Sequence, residues 1–520
     1  MSAEPDGANR GGAGAVGPAV IGVDIGTGSI KAVAFDPAGR KLAAASRPTP
    51  TRRMPTGGEY DPDIIFDTAL AVLAEVARGL AGRPVAGIAA TSMGESCVLI
   101  DAEGRAVAPT IAWFDRRTVQ DAAFVESTVG GDRVFAVTGA GVEFNFTLVK
   151  LLWMRRNWPD AFARARRVLM MADWIAFRLS GVAATDPTLA GRTQYYDNHA
   201  NAWSAELLGL VGRGADFPAP VKVGGTALGP VTAEVLAATG IAGAPIVGVG
   251  GHDHIVGAMA CGLYRPGTLI DSMGTAEALI LGSTRPLSDF ATIRRGYLQA
   301  PVEPGRMYWV GGSVFTCGGA MEWARSLTGG ADQATLIAEA KVVPPGSEGV
   351  VFIPHVGNGV SPPNPDHNAR GAFLGLTVGT TRGALYRSVL EGLAMQARLI
   401  LDDMSRLPGV TPPTGSPRLT GGGSRNPVFM EIKANVFGRP VTIVDEPEST
   451  ALGAALLGGV AGGLFPDIET AVSGLDRKEY SVEPDPQVAE RYDGLRETVF
   501  EPASGALKPL EGALAVWRGE

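Results

Sequence analysis

Two short glycine-threonine segments have the composition of phosphate-binding loops. The first runs Asp24-Ile25-Gly26-Thr27-Gly28-Ser29, and the second, far along the chain, runs Asp271-Ser272-Met273-Gly274-Thr275. Glycine lets backbone amides approach an anion closely, and hydroxyl side chains add donors. Because each segment separates two apolar runs, each is predicted to be the turn between two strands. The pair favours two related half-domains that close over a nucleotide.

The first loop combines the groups that bind a phosphate. Glycines leave room for the anion, hydroxyls donate to it and a lysine adds positive charge, from Gly26, Thr27, Gly28, Ser29 and Lys31. Asp24 ends the preceding strand, where its carboxylate is predicted to hold a magnesium-bound water. An ordinary glycine-rich hairpin with a turn-capping aspartate explains the same residues. In a chain with 71 glycines, two such loops can also arise by chance.

A lone acid, Asp253, lies just ahead of the second loop. It follows the apolar run 246–249 and two glycines, so it is predicted at the end of a strand, where a carboxylate can serve as a general base. The alternative is a helix N-cap, a common position for aspartate. His252 and His254 flank it, but a spacing of two without a third ligand is poor for zinc. We interpret these histidines as cleft or capping residues.

Composition narrows the class of protein. The 520 residues include 45 basic and 53 acidic side chains, a formal charge of −8 without a cationic block, which argues against nucleic-acid binding. Cys97, Cys261 and Cys317 are widely spaced, so neither a disulfide framework nor a zinc site is indicated, and a reducing, cytoplasmic setting is predicted. No apolar run of about 18 residues could span a membrane. Residues 1–18 are predicted to be a disordered leader.

Strands alternate with helices along the chain, which favours an α/β fold. Strands are predicted over 85–91 and helices over 63–80, 146–156 and 159–179. The length suggests two large domains, and the turn Arg265-Pro266-Gly267 suggests their junction. We therefore predict an N-terminal domain over 19–264, a C-terminal domain over 265–465 and a surface tail over 466–520.

These landmarks, in this order, resemble the FGGY family of carbohydrate kinases across most of the chain. The resemblance rests on the two loops and on six further segments, namely Trp113-Phe114-Asp115-Arg116-Arg117-Thr118, Lys150-Leu151-Leu152-Trp153, Gly251-His252-Asp253, Asn368-Ala369-Arg370-Gly371-Ala372-Phe373-Leu374-Gly375-Leu376, Leu390-Glu391-Gly392 and Gly421-Gly422-Gly423-Ser424-Arg425-Asn426-Pro427. It implies two actin-like domains of the ribonuclease-H-like fold with a cleft between them.

The resemblance also implies roles for individual residues. Asp253 would be the general base that accepts the proton of a sugar or polyol hydroxyl during transfer of the ATP γ-phosphoryl group. Asp24 would hold Mg²⁺ mainly through water. Besides the first loop, the expected nucleotide-binding residues are Gly274, Thr275, Gly318, Gly422, Gly423 and Asn426.

For the sugar pocket, the resemblance points to Glu95, Trp113 and Asn145. Glu95 stands where glycerol kinases carry an acid and xylulokinases a histidine, Trp113 would cover the carbon face of the sugar, and Asn145 would bind hydroxyls. A core tryptophan and a loop asparagine are the alternative interpretations. The tetrad Met93-Gly94-Glu95-Ser96 matches neither the xylulokinase Gln-Met-His-Gly nor the glycerol kinase Gln-Arg-Glu-Thr.

The sequence therefore leaves several substrates and several classes of protein open. A ketopentose of the xylulose type is the first expectation, beside a deoxyketohexose or a linear polyol, and homodimer formation is left open. An actin-like or Hsp70-like ATPase and a non-catalytic sugar sensor are the competing classes. An aspartic protease is excluded because the chain has no Asp-Thr-Gly turn.

Overall fold

The computed structural model describes residues 17–357, 359–360 and 362–518, and it contains two twisted mixed sheets. Nearly all of the predicted leader lies outside the described residues. The first sheet has six strands in the spatial order Ala227–Pro230, Ile246–His252, Val85–Ser92, Ala19–Ile25, Ser29–Phe35 and Lys41–Pro48. The second has seven, in the order Leu298–Glu303, Met307–Val314, Glu277–Ser283, Leu269–Met273, Arg418–Thr420, Val441–Val444 and Glu479–Val482.

The two sheets repeat one topology. In each, a strand that leads into a Gly-Thr loop, Ala19–Ile25 or Leu269–Met273, pairs antiparallel with the strand that follows the loop. On its other side the same strand pairs parallel with a later one, Val85–Ser92 or Arg418–Thr420. The predicted strand-turn-strand repeat is therefore present, and the α/β fold with two actin-like halves is confirmed. Both loops therefore lie at the carboxyl ends of equivalent internal strands.

The helices cover the faces of the two sheets. Those of eight residues or more are Pro62–Gly79, Val119–Thr128, Gly131–Thr138, Thr147–Asn157, Met171–Ser180, Asp253–Ala260, Gly318–Leu327, Gln333–Val342, Arg382–Met404, Pro427–Phe437, Ser449–Ala461, Pro486–Leu495 and Glu501–Arg518. Shorter α-helices are Pro159–Arg164, Pro187–Ala190, Ala205–Gly209, Ala233–Thr239, Phe290–Ile293 and Ile468–Ser473. A minor three-stranded sheet forms from Arg52–Met54, Gly57–Tyr60 and Thr110–Ile111. Three minor strand pairs are Cys97–Ile100 with Arg167–Met170, Tyr196–Asp197 with Ala202–Trp203, and Val351–Ile353 with Ala372–Leu374. No described helix is long and apolar enough to cross a membrane.

The helix Ser449–Ala461 packs on the first sheet, although it directly follows the strand Val441–Val444 of the second. Glycines in the sheet allow this approach. A β-carbon added to Gly22 would lie 1.8 Å from the Ala451 carbonyl oxygen, and one added to Gly87 would lie 1.8 Å from that of Gly458. The same helix also packs against Asp253–Ala260, whose other side joins the core of the second sheet. Asp253–Ala260 therefore lies between the two halves.

One predicted segment differs from the structure. The helix predicted over 159–179 is wrong, because its middle is the strand Arg167–Met170, which pairs antiparallel with Cys97–Ile100. A short buried apolar run cannot be assigned to helix or strand from its periodicity alone. The segment predicted as a surface tail supplies the edge strand Glu479–Val482 of the second sheet, as well as the last two helices.

Candidate active site

The four residues expected to contact a sugar line one cavity between the two halves. Its volume is about 340 Å³, and the first half contributes Thr27, Glu95, Trp113, Asn145 and Asp253 among others. The second half closes it with residues of the strand Met307–Val314, among them Trp309 and Gly312, and with Phe315, which follows that strand. A volume at the small end of ligand pockets suits a small substrate. The interdomain cleft predicted from the sequence is thus present.

Asp253 lies where the strand Ile246–His252 turns into a helix. It is the first helical residue, while His252 takes the N-cap position, so the predicted alternative of Asp253 as N-cap is not what the structure has. Its Oδ1 accepts a hydrogen bond from the His254 amide at 2.7 Å. Burial raises the pKa of the Asp253 carboxyl above its ordinary value, and His254 opposes that shift. A raised pKa strengthens a carboxylate as a proton acceptor.

Asp24 interacts electrostatically with Asp253 and has an unused acceptor atom. Burial, and then the charge of Asp253, raise the pKa of Asp24 to about 7. Its Oδ1 is enclosed and has no hydrogen-bond partner among the described residues. Nor do three or more metal-binding side chains cluster anywhere in the described part of the chain. One orphaned, enclosed carboxylate oxygen suits Mg²⁺ that takes its other ligands from water and phosphate.

A buried lysine fixes the backbone of two pocket residues. Lys150 Nζ donates to the carbonyl oxygens of Glu95, at 3.1 Å, and Asn145, at 2.7 Å. Glu95 has φ +59°, a left-handed conformation that is costly for a side-chain-bearing residue, so these contacts help to hold it. Burial lowers the pKa of Lys150 to about 8. Sequence reasoning named the segment of Lys150 as a landmark but gave the lysine no role.

Arg192 and His252 complete the pocket. Arg192 Nε donates to Glu95 Oε1 at 2.6 Å, and Nη2 reaches the same oxygen. His252 Nε2 lies 3.4 Å from Asp253 Oδ1, and burial lowers the pKa of His252 well below its ordinary value, so the ring is neutral. His252 is a cleft histidine, as interpreted from the sequence. Arg192 was missed, because nothing in its local sequence separates it from a surface arginine.

Trp113 forms part of the cavity wall and not of the core. Its side chain is 37% exposed, and its indole Nε1 donates to Thr27 Oγ1 at 2.9 Å. Thr27 is the one residue of the first loop that lines the cavity. The tryptophan and the first loop are therefore fixed to each other.

A second cavity, of about 760 Å³, lies against the second loop. It is lined by the expected nucleotide residues Gly274, Thr275, Gly318, Gly422 and Gly423, together with side chains that include Glu322, Arg325 and Tyr386. Asn426 does not line it, since its side chain caps the helix Pro427–Phe437. Gly26, Gly28, Ser29 and Lys31 line neither cavity, and Lys31 is paired with Glu448 at 2.7 Å.

The second loop is held by backbone bonds and by a buried charge cluster. Gly318 N donates to Gly274 O at 3.0 Å, and a β-carbon at Gly318 would lie 2.6 Å from that oxygen, so only glycine fits. Beneath the loop, Lys433 Nζ lies 2.9 Å from Asp271 Oδ2 and also contacts Glu277. All three side chains are fully buried.

The two halves match two family models in chain order. Residues 19–260 match the N-terminal domain, and residues 270–462 the C-terminal domain, of the FGGY family of carbohydrate kinases. The chain belongs to this family. Its members phosphorylate alcohol groups of small sugars or polyols with ATP as donor, and membership excludes the ATPase and sugar-sensor alternatives.

Individual FGGY kinases resemble the chain over nearly its whole length. A glycerol kinase of Gloeobacter violaceus is 31% identical over 474 residues, 88% of this chain and 91% of that enzyme. An autoinducer-2 kinase of Escherichia coli is 30% identical over 92% of both chains. The crystal structure of a xylulose kinase from Rhodospirillum rubrum superposes with a TM-score of 0.85 at 31% identity, over 95% of this chain and all of that one.

Proposed function

We propose that this FGGY kinase transfers the γ-phosphoryl group of ATP to a hydroxyl of a ketopentose of the xylulose type, with Asp253 as general base. The lining of the smaller cavity is the observation that supports this, because Asp253 lies there with Glu95, Trp113 and Asn145. The xylulose kinase of Rhodospirillum rubrum supports the choice of substrate. A deoxyketohexose or a linear polyol is the runner-up, the latter favoured by the glycerol kinase relative.

Asp253 would accept the hydroxyl proton as the oxygen attacks the γ-phosphorus atom. The carboxylate would thereby orient the oxygen in line with the bond that breaks, while ADP leaves. Neutral His252, whose Nε2 lies 3.4 Å from Asp253 Oδ1, carries no positive charge that would lower the basicity of the carboxylate. Glu95, Asn145 and the ring of Trp113 would hold the remaining hydroxyls and the carbon face of the acceptor.

Mg²⁺ fits beside Asp24. The orphaned Oδ1 of Asp24 would hold it, mainly through water, and the ion when bound would offset charge on the β- and γ-phosphate oxygens. The charge of such an ion would also return Asp24, whose pKa is raised to about 7, to its ionised form.

The nucleotide would lie between the two loops. The cavity beside Gly274 and Thr275, with Gly318, Gly422 and Gly423, would receive the adenosine and part of the phosphate chain. The first loop would approach the phosphates from the other side when the two halves close and exclude water from the reacting group. Gly28 tests this part of the proposal, because a β-carbon there meets no atom within 4 Å. Gly28→Ala should raise the KM for ATP, while Gly209→Ala, equally free of contacts, should not.

A coupled assay of ADP release across three acceptor classes tests the proposed function. D-xylulose and D-ribulose represent ketopentoses, L-fuculose and L-rhamnulose represent deoxyketohexoses, and glycerol and erythritol represent linear polyols. We expect the highest kcat/KM with a ketopentose. A preference for another class would replace the substrate assignment, and ATP turnover indifferent to every acceptor would overturn the proposed function itself.

A further inference from the structure

The Arg192–Glu95 pair is a charged pair inside the substrate cavity. Both side chains line the cavity, and both residues are more than nine-tenths buried, at 8% and 4% exposure. The guanidinium also lies over the ring of Phe146, 4.9 Å from its centroid. Arg192 belongs to none of the sequence segments that identified the site. Its position in the cavity raises the question of what it binds there.

Each partner keeps one polar atom unused. The hydrogen bonds of the pair converge on Glu95 Oε1, which leaves Glu95 Oε2 and Arg192 Nη1 without partners among the described residues. Neither atom is among the enclosed, unpaired polar atoms of the described chain, so each is open to the cavity. An acceptor and a donor held side by side are complementary to a hydroxyl group, which both donates and accepts.

The surroundings hold Arg192 in place. A β-carbon added to Gly94 would lie 3.1 Å from His252 Cδ2 and 3.3 Å from Arg192 Cγ. The absence of a side chain at Gly94 therefore leaves the space that the arginine stem and the imidazole occupy. A guanidinium fixed by an ion pair and an aromatic ring loses little further freedom when it binds a ligand.

We infer that Arg192 is a specificity-determining residue: with Glu95 it binds a hydroxyl of an uncharged sugar or polyol, and the pair selects against sugar acids. This inference rests on the proposed function and assigns a further residue to its acceptor site. Arg192 and Glu95 cancel each other's charge, and burial lowers the pKa of His252 well below its ordinary value, so Asp253 adds a negative charge that none of these three residues offsets. A substrate carboxylate would meet an arginine already paired and an unpaired aspartate, whereas a hydroxyl meets a free donor and a free acceptor.

The experiment compares acceptors of equal carbon number that differ in a carboxylate. The pairs are D-xylulose with D-xylonate, glycerol with D-glycerate, and L-rhamnulose with L-rhamnonate, each measured by ADP release. For the wild-type enzyme we expect kcat/KM to be at least about 100-fold higher with the neutral member. Arg192→Met should raise the KM for the neutral acceptor by about 10- to 100-fold, the range for a hydrogen bond to a charged group, and leave the KM for ATP unchanged. Glu95→Gln, which frees the arginine charge, should lower the neutral-to-acid preference by about 10-fold or more.

Two further variants serve as controls. Arg192→Met leaves the Glu95 carboxylate buried without its partner, a change that can prevent folding by itself. The double variant Arg192→Met, Glu95→Gln removes both charges together and should show the same rise in the KM for the neutral acceptor. Arg133→Met breaks an exposed Arg133–Glu206 pair in the same half and should leave both KM values unchanged.

The outcomes separate the two proposals. A wild-type enzyme that prefers the sugar acid would overturn the inference, as would a folded Arg192→Met or double variant whose KM for the neutral acceptor stays within about twofold of wild type. Either result leaves the kinase assignment standing, because acceptor-dependent ADP release is still observed. Absence of acceptor-dependent release with every compound would overturn the proposed function and this inference with it.

Discussion

Trp113 and Thr27 are joined by a hydrogen bond of 2.9 Å from the indole Nε1 to the threonine Oγ1. The bond connects the wall of the substrate cavity to the loop that leads from Asp24. Thr27 is exposed at the turn, and Trp113 is anchored by this contact and by an edge-on contact with Phe114. The bond therefore links the first loop to the surface expected to cover the acceptor.

Removal of that bond should weaken acceptor binding. Thr27→Val keeps the size of the side chain but not the hydroxyl, and we expect the KM for the acceptor to rise by about 2- to 10-fold, the equivalent of one neutral hydrogen bond. Thr27→Ser retains the hydroxyl and should remain close to wild type. Steady-state kinetics with the acceptor varied at saturating ATP measure both. Equal behaviour of the two variants would show that the bond has no part in acceptor binding.

Lys150 should act on the acceptor site without touching the acceptor. Lys150→Met keeps the stem but leaves the Glu95 and Asn145 carbonyl oxygens without a donor, so the pocket loop should lose its fixed geometry. We expect the KM for the acceptor to rise by about 5- to 20-fold with an unchanged KM for ATP. Lys222→Met, at an exposed position of the same half, is the control. A fall in kcat alone would contradict a positioning role.

Lys433 should be needed for the stability of the second half. Its charge is held by Asp271 and Glu277, and burial followed by the charge of Asp271 raises the pKa of Glu277 to about 8. Lys433→Met leaves the two carboxyl groups close to each other and without a cation. Removal of one partner of a buried ion pair lowers the free energy of unfolding by about 3–5 kcal/mol. Urea unfolding should show this loss, whereas exposed Lys341→Met should change stability by less than about 0.5 kcal/mol.

The sign of the pH effect for Lys433→Met follows from the carboxyl groups that remain. In the wild type they share one lysine, so in the variant at least one must take up a proton to stay buried. Folding of the variant then binds protons that the unfolded chain does not, and its stability should recover as pH falls from 8 towards 5. A deficit independent of pH would contradict this explanation.

The pH profile of kcat/KM should have an acid limb set by Asp253. Its pKa is raised by burial, so the carboxylate is lost at a higher pH than for an exposed aspartate, and kcat/KM should fall as pH decreases through that raised pKa. Among the charges acting on it, Glu95 raises the pKa and Arg192 lowers it. Glu95→Gln should therefore move the limb to lower pH and Arg192→Met to higher pH. Shifts of the opposite sign would place the titrating group elsewhere.

The sequence predicted those features that depend on neighbours in the chain. Both Gly-Thr turns, at Gly26 and Gly274, could be predicted because a turn and its flanking strands depend on residues that are adjacent in the chain. The position of Asp253 at a strand end followed in the same way. Glu95, Trp113 and Asn145 came from the family resemblance, and they do line one cavity.

The missed features depend on contacts between distant segments. Arg192 is a pocket residue only because its segment folds back onto Glu95. No pattern in the residues around Arg192 predicts that contact. The helix Ser449–Ala461 covers a sheet formed by the opposite end of the chain. Glycines of that sheet allow the close approach, and the sequence alone does not show that a helix packs against them. The sequence predicts helix at Arg167–Met170 because its apolar run fits both helix and strand, and only the pairing with Cys97–Ile100 decides between them. The predicted boundary between residues 264 and 265 stays a prediction.

Replacement of Asp253 by asparagine tests the central claim most directly. The variant keeps the shape of the side chain and removes the proton acceptor, so acceptor phosphorylation should fall by about 10²- to 10⁴-fold. Affinity for a non-hydrolysable ATP analogue, measured by calorimetry, should stay within about threefold of wild type, and exposed Asp332→Asn should change neither quantity. Phosphorylation retained within tenfold of wild type, or an ATP turnover that survives intact without any acceptor, would contradict Asp253 as the general base of this kinase.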